Sequence, residues 1–147
     1  MQVRDVMAED VVTVAEDATL REAVEQFLRH DVGSAVVMRT GETRSYKCGI
    51  VTDTDVLQAS YRTDSPLSSL RVADEMSSPV VTVPPDTSVE DALETMRRKR
   101  VKHLVVTHQM RVVGVVTPTD VAMHHSEAVK AARRVRARRP DWRPSDG

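Results

Sequence analysis

Short β-branched runs alternate along this chain with segments whose apolar residues fall at helical spacing. Val11 to Val14 and Val80 to Val83 read as strands, ended by Asp17 in one case and by Pro84-Pro85-Asp86 in the other. Thr19-Leu20-Arg21-Glu22 and Ser88-Val89-Glu90-Asp91 then resemble capping boxes, the second with Asp where Glu or Gln is usual. Behind them, Leu20, Ala23, Val24, Phe27 and Leu28 share one helix face, as do Val89, Ala92, Leu93 and Met96. Ala35 to Met38 with Gly49 to Val51, and Leu104 to Val106 with Val112 to Val116, give two strand pairs. After each pair a Thr-x-x-Asp sequence opens another helix, from about Thr54 to Ser60 and from about Thr119 into an Arg-rich tail.

The order strand, helix, strand, strand, helix therefore occurs twice, and the residues repeat with it. Gly49-Ile50-Val51-Thr52-Asp53-Thr54-Asp55-Val56 returns as Gly114-Val115-Val116-Thr117-Pro118-Thr119-Asp120-Val121. Val3, Asp5 and Met7 match Val72, Asp74 and Met76, and Ala35-Val36-Val37 matches Leu104-Val105-Val106. The offset is 69 residues up to Val37 and 65 from Gly49 onward, so the first copy carries four extra residues. They belong in a polar loop that includes Gly41, where the second copy has the short hairpin connection His108-Gln109-Met110. Duplication predicts matching sites at Thr52/Asp55 and Thr117/Asp120, at helix starts whose backbone N–H groups are unpaired and can receive an anion.

At 147 residues and 40% hydrophobic content the chain can bury one core, or two halves that share one. A net charge of −1 gives the whole chain no electrostatic attraction to nucleic acid or anionic lipid. Cys48 has no second cysteine to pair with, which suits a reducing compartment. No apolar stretch approaches the roughly 20 residues of a membrane helix, and Arg4, Asp5, Glu9 and Asp10 do not suit a signal peptide, so a cytoplasmic location with no membrane partner is expected.

The ordered set Val-x-Asp-Val-Met, Val-Val-Thr-Val-x-x-Asp, Val-Val before a hairpin, and Gly-Ile/Val-Val-Thr-x-x-Asp-Val resembles the cystathionine β-synthase (CBS) domain, here in the tandem arrangement called a Bateman module. The resemblance covers residues 1 to about 126. It implies an α/β (α+β) fold of two β-α-β-β-α repeats packed sheet to sheet with pseudo-two-fold symmetry. The boundaries it suggests are 1–62 and 72–127 for the repeats, 63–71 for a linker, and 128–147 for a basic C-terminal helix or tail. It also implies clefts between the repeats that take AMP, ADP, ATP or S-adenosylmethionine as a regulatory ligand, with no cofactor required and no catalysis. Asp55 and Asp120 would accept hydrogen bonds from ribose hydroxyls, while Thr52 and Thr117 would meet phosphate at the helix start. Val12, Val32, Gly33 and Ser34 in the first copy, and Val81, Val101, Lys102 and His103 in the second, would line the adenine pocket. Aromatic content is 3%, so the ring would be held by aliphatic side chains and backbone groups. A homodimer with an unidentified effector protein is the assembly such modules commonly form; a ligand-free scaffold of the same fold is the alternative.

The copies differ in charge. Arg97-Arg98-Lys99-Arg100 and Lys102 fall in the stretch that matches Gln26 to Gly33 of the first copy. In the family each cleft combines the Thr/Asp pair of one repeat with the pre-strand segment of the other, so Arg100 and Lys102 would favour phosphate near Thr52 and Asp55. Two plainer readings stand beside these: the cations as the solvated end of a helix, and the Thr/Asp pairs as helix caps. His103, His124, His125 and Cys48 have ligand-type side chains, but adjacent helical histidines diverge by about 100°, and no metal site is expected. Nothing signals an activated nucleophile or a dinucleotide fingerprint. The tail from Lys130 to Pro140 is basic, yet without aromatics or a binding fold it gives no expectation of specific nucleic-acid recognition.

Overall fold

The computed structural model describes residues 1–40 and 45–124. Most of the inserted loop and the basic tail, with His125, lie outside the described residues.

The chain divides into two compact units, each a three-stranded sheet with helices on it. The unit built on the first repeat contains β1 (Thr13–Ala15), α1 (Leu20–His30), β2 (Ser34–Thr40), β3 (Ser45–Thr52), α2 (Asp53–Thr63) and the short α3 (Val72–Glu75). Helix α1 is the crossover that lets β1 and β2 pair in parallel, and β3 returns antiparallel to β2. The unit built on the second repeat contains β4 (Thr82–Val83), α4 (Val89–Lys99), β5 (Leu104–His108), β6 (Arg111–Val116) and α5 (Pro118–Met123), with the same pairing pattern.

Local chemistry accounts for these elements. Thr19 Oγ1 accepts the Glu22 N–H at 3.2 Å and Glu22 reaches back to the Thr19 N–H at 3.4 Å, the capping box expected at α1. Ser88 accepts the Asp91 N–H at 3.0 Å, the forward half of the second box. Strand β1 begins at Thr13 rather than Val11; ahead of it the Val12 carbonyl still accepts the Val36 N–H at 2.9 Å. Each β2–β3-type pair contains a bulge at the same repeat position, after Val37 and after Val106. The strand residue across from each is a glycine, Gly49 or Gly114.

The bulge glycines receive methionines from segments that come earlier or later in the chain. A Cβ on Gly114 would stand 2.5 Å from Met7 Sδ, and one on Gly49 would stand 2.6 Å from Met76 Sδ. Those methionines belong to two straps that exchange places. Residues 1–11 pack with the second repeat, and residues up to Val80 pack with the first. Val3 and Val6 are buried among Val89, Ala92 and Leu104, whereas Val72 is buried among Leu20, Ala23 and Val51. Backbone bonds hold each strap: Ala8 and Val115 exchange two at 2.9 and 3.0 Å, and Ile50 and Ser77 exchange two at 2.9 and 2.8 Å. Sequence similarity and packing thus cut the chain at different points. The repeats run 1–62 and 72–127 by resemblance, but the opening strap of each completes the core of the other. Burial of an entire valine side chain is worth about 1.5–3 kcal/mol, so Val3 and Val72 each contribute substantially to the unit they join.

Candidate functional site

In the first-repeat unit, β3 runs out of the sheet at Thr52 and α2 begins at Asp53. Thr52 has extended backbone geometry and is the N-cap. Its Oγ1 accepts the Asp55 N–H at 3.1 Å, and Asp55 Oδ2 accepts the Thr52 N–H at 2.9 Å. The second-repeat unit reproduces this turn at Thr117 and Asp120, with bonds of 3.2 and 2.9 Å, and the Thr117 hydroxyl also donates to Asp120 Oδ2 at 3.1 Å. All four side chains are half-buried. The Thr-x-x-Asp sequence is therefore a capping box in both units, formed with Asp in place of Glu or Gln. Oδ1 of Asp55 and Oδ1 of Asp120 have no hydrogen bond among the described residues.

Unpaired N–H groups are not what α2 presents. Thr52, Asp53, Thr54 and Asp55 are its four donors without an intrahelical acceptor, and each has found an internal one. Besides the two capping bonds, the Asp53 N–H donates to the Gly33 carbonyl at 2.9 Å and the Thr54 N–H donates to Asp53 Oδ1 at 2.8 Å. Asp53 was not among the sequence candidates. The signal was present, because the second copy has Pro118 at that position and so lacks both the carboxylate and an N–H to bond.

The pre-strand residues border the turn of their own repeat. Ser34 is the register partner of Thr52 and Leu104 that of Val116. Gly33 has no positive φ; what it supplies is space, since a Cβ there would stand 2.9 Å from Asp53 Oδ2. Val32 and Val101 are half-buried and follow helix ends of one type: Asp31 and Arg100 are left-handed caps, after which the Val32 and Val101 N–H groups donate to Phe27 and Met96 carbonyls at 3.0 Å. Val12 is buried; Val81 and His103 are half-buried; Lys102 and Arg100 are exposed.

Charge is unevenly distributed. Arg97 grips Glu94 with two bonds of 3.0 and 2.6 Å, which holds the Glu94 carboxyl below its ordinary range. Arg98, Lys99, Arg100 and Lys102 have no ion-pair partner among the described residues. Away from the turns, Cys48 donates to Glu16 Oε2 at 3.9 Å and to the Val37 carbonyl at 3.5 Å, while Arg39 holds the same Glu16 at 2.9 and 3.0 Å. Burial, followed by the Glu16 charge, pushes the Cys48 thiol up. Among the described residues, no group of three His, Cys, Asp or Glu is placed to hold a metal ion, and no helix is long and apolar enough to cross a membrane.

Two small mixed sheets, each followed by a Thr-x-x-Asp helix start, define a tandem module. The CBS domain family model matches residues 3–62 and 72–127, and the chain belongs to the CBS domain family. An uncharacterized protein of Methanocaldococcus jannaschii is 30% identical over 118 residues, 80% of this chain and 40% of the relative. The mitochondrial CBS domain-containing protein CBSX3 of Arabidopsis thaliana is 32% identical over 107 residues, 71% of this chain and 52% of the relative. The chain spans about half or less of the length of these two relatives. Among solved structures, a CBS domain protein of Pyrobaculum aerophilum complexed with AMP superimposes with a TM-score of 0.71 at 23% identity, over 92% of this chain and 99% of that one, a likeness of fold.

Proposed function

We propose that this protein is a regulatory module, without catalysis of its own, that senses an adenosine-containing ligand at its Thr-x-x-Asp turns and passes occupancy to a separate effector. AMP, ADP, ATP and S-adenosylmethionine are the candidate ligands. The observation that carries this reading is the state of Asp55 and Asp120. Each is half-buried, fixed through Oδ2 to the N–H of its threonine, and left with Oδ1 as an acceptor of no bond among the described residues. A carboxylate held in that way is suited to a hydroxyl donor such as a ribose 2′- or 3′-OH, and a charge-assisted bond of this kind is among the stronger ones. The neighbouring candidates, Val32 and Ser34 in one unit and Val101 and His103 in the other, are half-buried, as residues beside a small-molecule site would be. The AMP complex of the Pyrobaculum relative supports the ligand class.

Thermal denaturation with AMP, ATP, S-adenosylmethionine and NAD tests the proposal. A ligand present at 100 times its dissociation constant stabilises the native state by about 2.7 kcal/mol. A response to at least one adenosine compound, lost in Asp55→Ala and Asp120→Ala combined, is the expected result. The second reading, a ligand-free scaffold, draws on the closed capping boxes themselves, which account for Thr52, Thr117 and one oxygen of each aspartate without any ligand; it predicts no shift with any of the four.

A further inference from the structure

We infer that Asp53 is a specificity-determining residue which denies phosphate to the first-repeat turn, so that this turn takes a neutral, hydroxyl-bearing ligand group such as a nucleoside ribose. The inference rests on the adenosine-binding reading above and narrows it. Phosphate is drawn to a helix start by donors that point at it and by the positive end of the helix dipole. Neither is on offer at α2, an eleven-residue helix. Its four N-terminal N–H groups are bonded to Asp55 Oδ2, Gly33 O, Asp53 Oδ1 and Thr52 Oγ1 at 2.8–3.1 Å. Two of those acceptors are carboxylates, so a phosphate dianion would meet negative charge and no vacant backbone donor.

Asp53 sits there by construction. Its own N–H is tied to the Gly33 carbonyl, and its Oδ2 stands where a Cβ on residue 33 would come within 2.9 Å, so the glycine and the carboxylate fit each other. Position 33 matches Lys102 and position 53 matches Pro118 in the other repeat, so the pairing of a glycine with an acid belongs to the first copy alone. A diol encounters the opposite situation: Asp53 Oδ2 and Asp55 Oδ1 accept no hydrogen bond among the described residues.

Calorimetric titration with adenosine and with AMP provides the test, using Asp120→Ala to silence the second turn and circular dichroism to verify the fold. In Asp120→Ala, adenosine should bind at least as tightly as AMP. Adding Asp53→Asn, which removes the charge and keeps an oxygen for the Thr54 N–H, should tighten AMP at least 10-fold relative to adenosine. Asp53→Ala, which also frees the Thr54 N–H, should do so at least as strongly. An AMP-to-adenosine ratio that moves less than 2-fold in both variants overturns the inference and leaves the ligand reading standing. Failure of the unaltered chain to bind either adenosine or AMP overturns this inference, and failure to respond to any of the adenosine compounds overturns the ligand reading with it.

Discussion

Replacement of Gly114 by alanine probes the clasp that fastens the N-terminal strap to the second-repeat sheet. The added methyl would lie 2.5 Å from Met7 Sδ, 2.9 Å from Met7 Cγ and 3.0 Å from the Ala8 carbonyl oxygen. The thioether is the movable end of a flexible side chain, whereas the carbonyl is fixed by its two-way bonding with Val115 at 2.9 and 3.0 Å. Met7 must therefore swing out of its place against Val3 and Val6's cluster, or the strap must lift and stretch those bonds. Overpacking of this kind costs about 1–3 kcal/mol. For a chain of this size that lowers the melting temperature by roughly 3–10 °C. Urea denaturation of the wild type, Gly114→Ala, Met7→Ala and the double variant gives the coupling directly. With the sulfur removed, the methyl finds most of its space empty, so the double variant should be more stable than the sum of the single losses by about 0.5–2 kcal/mol. Additive losses would place the conflict at the Ala8 carbonyl instead of the thioether and refute the clasp, as would a cost for Gly114→Ala below about 0.5 kcal/mol. The same cycle with Gly49 and Met76 examines the partner strap.

Three other expectations follow from separate features. Gln109 and Met110 both have positive φ, 50° and 65°, in the two-residue turn between β5 and β6, a conformation that favours Asn-Gly, so Gln109→Asn with Met110→Gly should stabilise the chain by about 1 kcal/mol, seen as a higher urea midpoint at constant slope. The Cys48 thiol, pushed up by burial and by Glu16, should be alkylated by iodoacetamide at pH 8 more slowly than in the urea-unfolded chain, and Glu16→Gln should speed it; equal rates would contradict the assignment. Since its folded value lies above its unfolded one, the folded state holds the proton more firmly, and Cys48's contribution to stability is present at neutral pH and lost as pH rises through the folded value. Leu57 and Tyr61, one helical turn apart on α2, are 70% and 93% exposed; if the homodimer that the family resemblance implies uses this apolar pair, Tyr61→Asp should convert it to monomer in size-exclusion chromatography with its circular dichroism unchanged.

Much of the architecture could be read from the residues because local and long-range preferences agree. Leu20, Ala23 and Phe27, like Val89, Ala92 and Met96, became buried helix positions, whereas Leu28 and Leu93, expected on the same faces, lie at their edges and are exposed; Thr19-x-x-Glu22 announced its cap three residues ahead. Thr-x-x-Asp announced α2 and α5 equally well, with Thr52 and Thr117 as caps and each helix starting one residue earlier than periodicity suggested. What periodicity cannot carry is partnership. Val3 and Val72 occupy identical positions in their repeats, and nothing in either segment states which sheet it will cover. The hairpin at Gln109-Met110 was visible as a short connection, but its left-handed backbone was not, because neither residue is of the Gly or Asn type that advertises it. The chemistry of the first turn was obscured for a related reason: Asp53 looks like an ordinary first-turn acid until its contact with Gly33 is seen in three dimensions.

In the proposed function, helix capping and ligand recognition draw on one set of atoms, and the two copies divide them differently. At Thr117, the hydroxyl donates to Asp120 Oδ2 and accepts from the Asp120 N–H, so both of its roles are filled inside the box. At Thr52 the hydroxyl accepts from the Asp55 N–H, and its hydrogen has no acceptor among the described residues. Only at Thr52, therefore, is a threonine donor left for a ligand, beside the unengaged oxygens of Asp53 and Asp55. A cap requires one acceptor and one carboxylate oxygen, which both turns provide. The surplus beyond that requirement is what distinguishes them: two oxygens and a hydroxyl hydrogen clustered at one turn, one oxygen at the other. A duplicated sequence has thus kept its capping half identical and let the remaining atoms diverge, which is the pattern expected when stability constrains both turns and the proposed recognition constrains each separately.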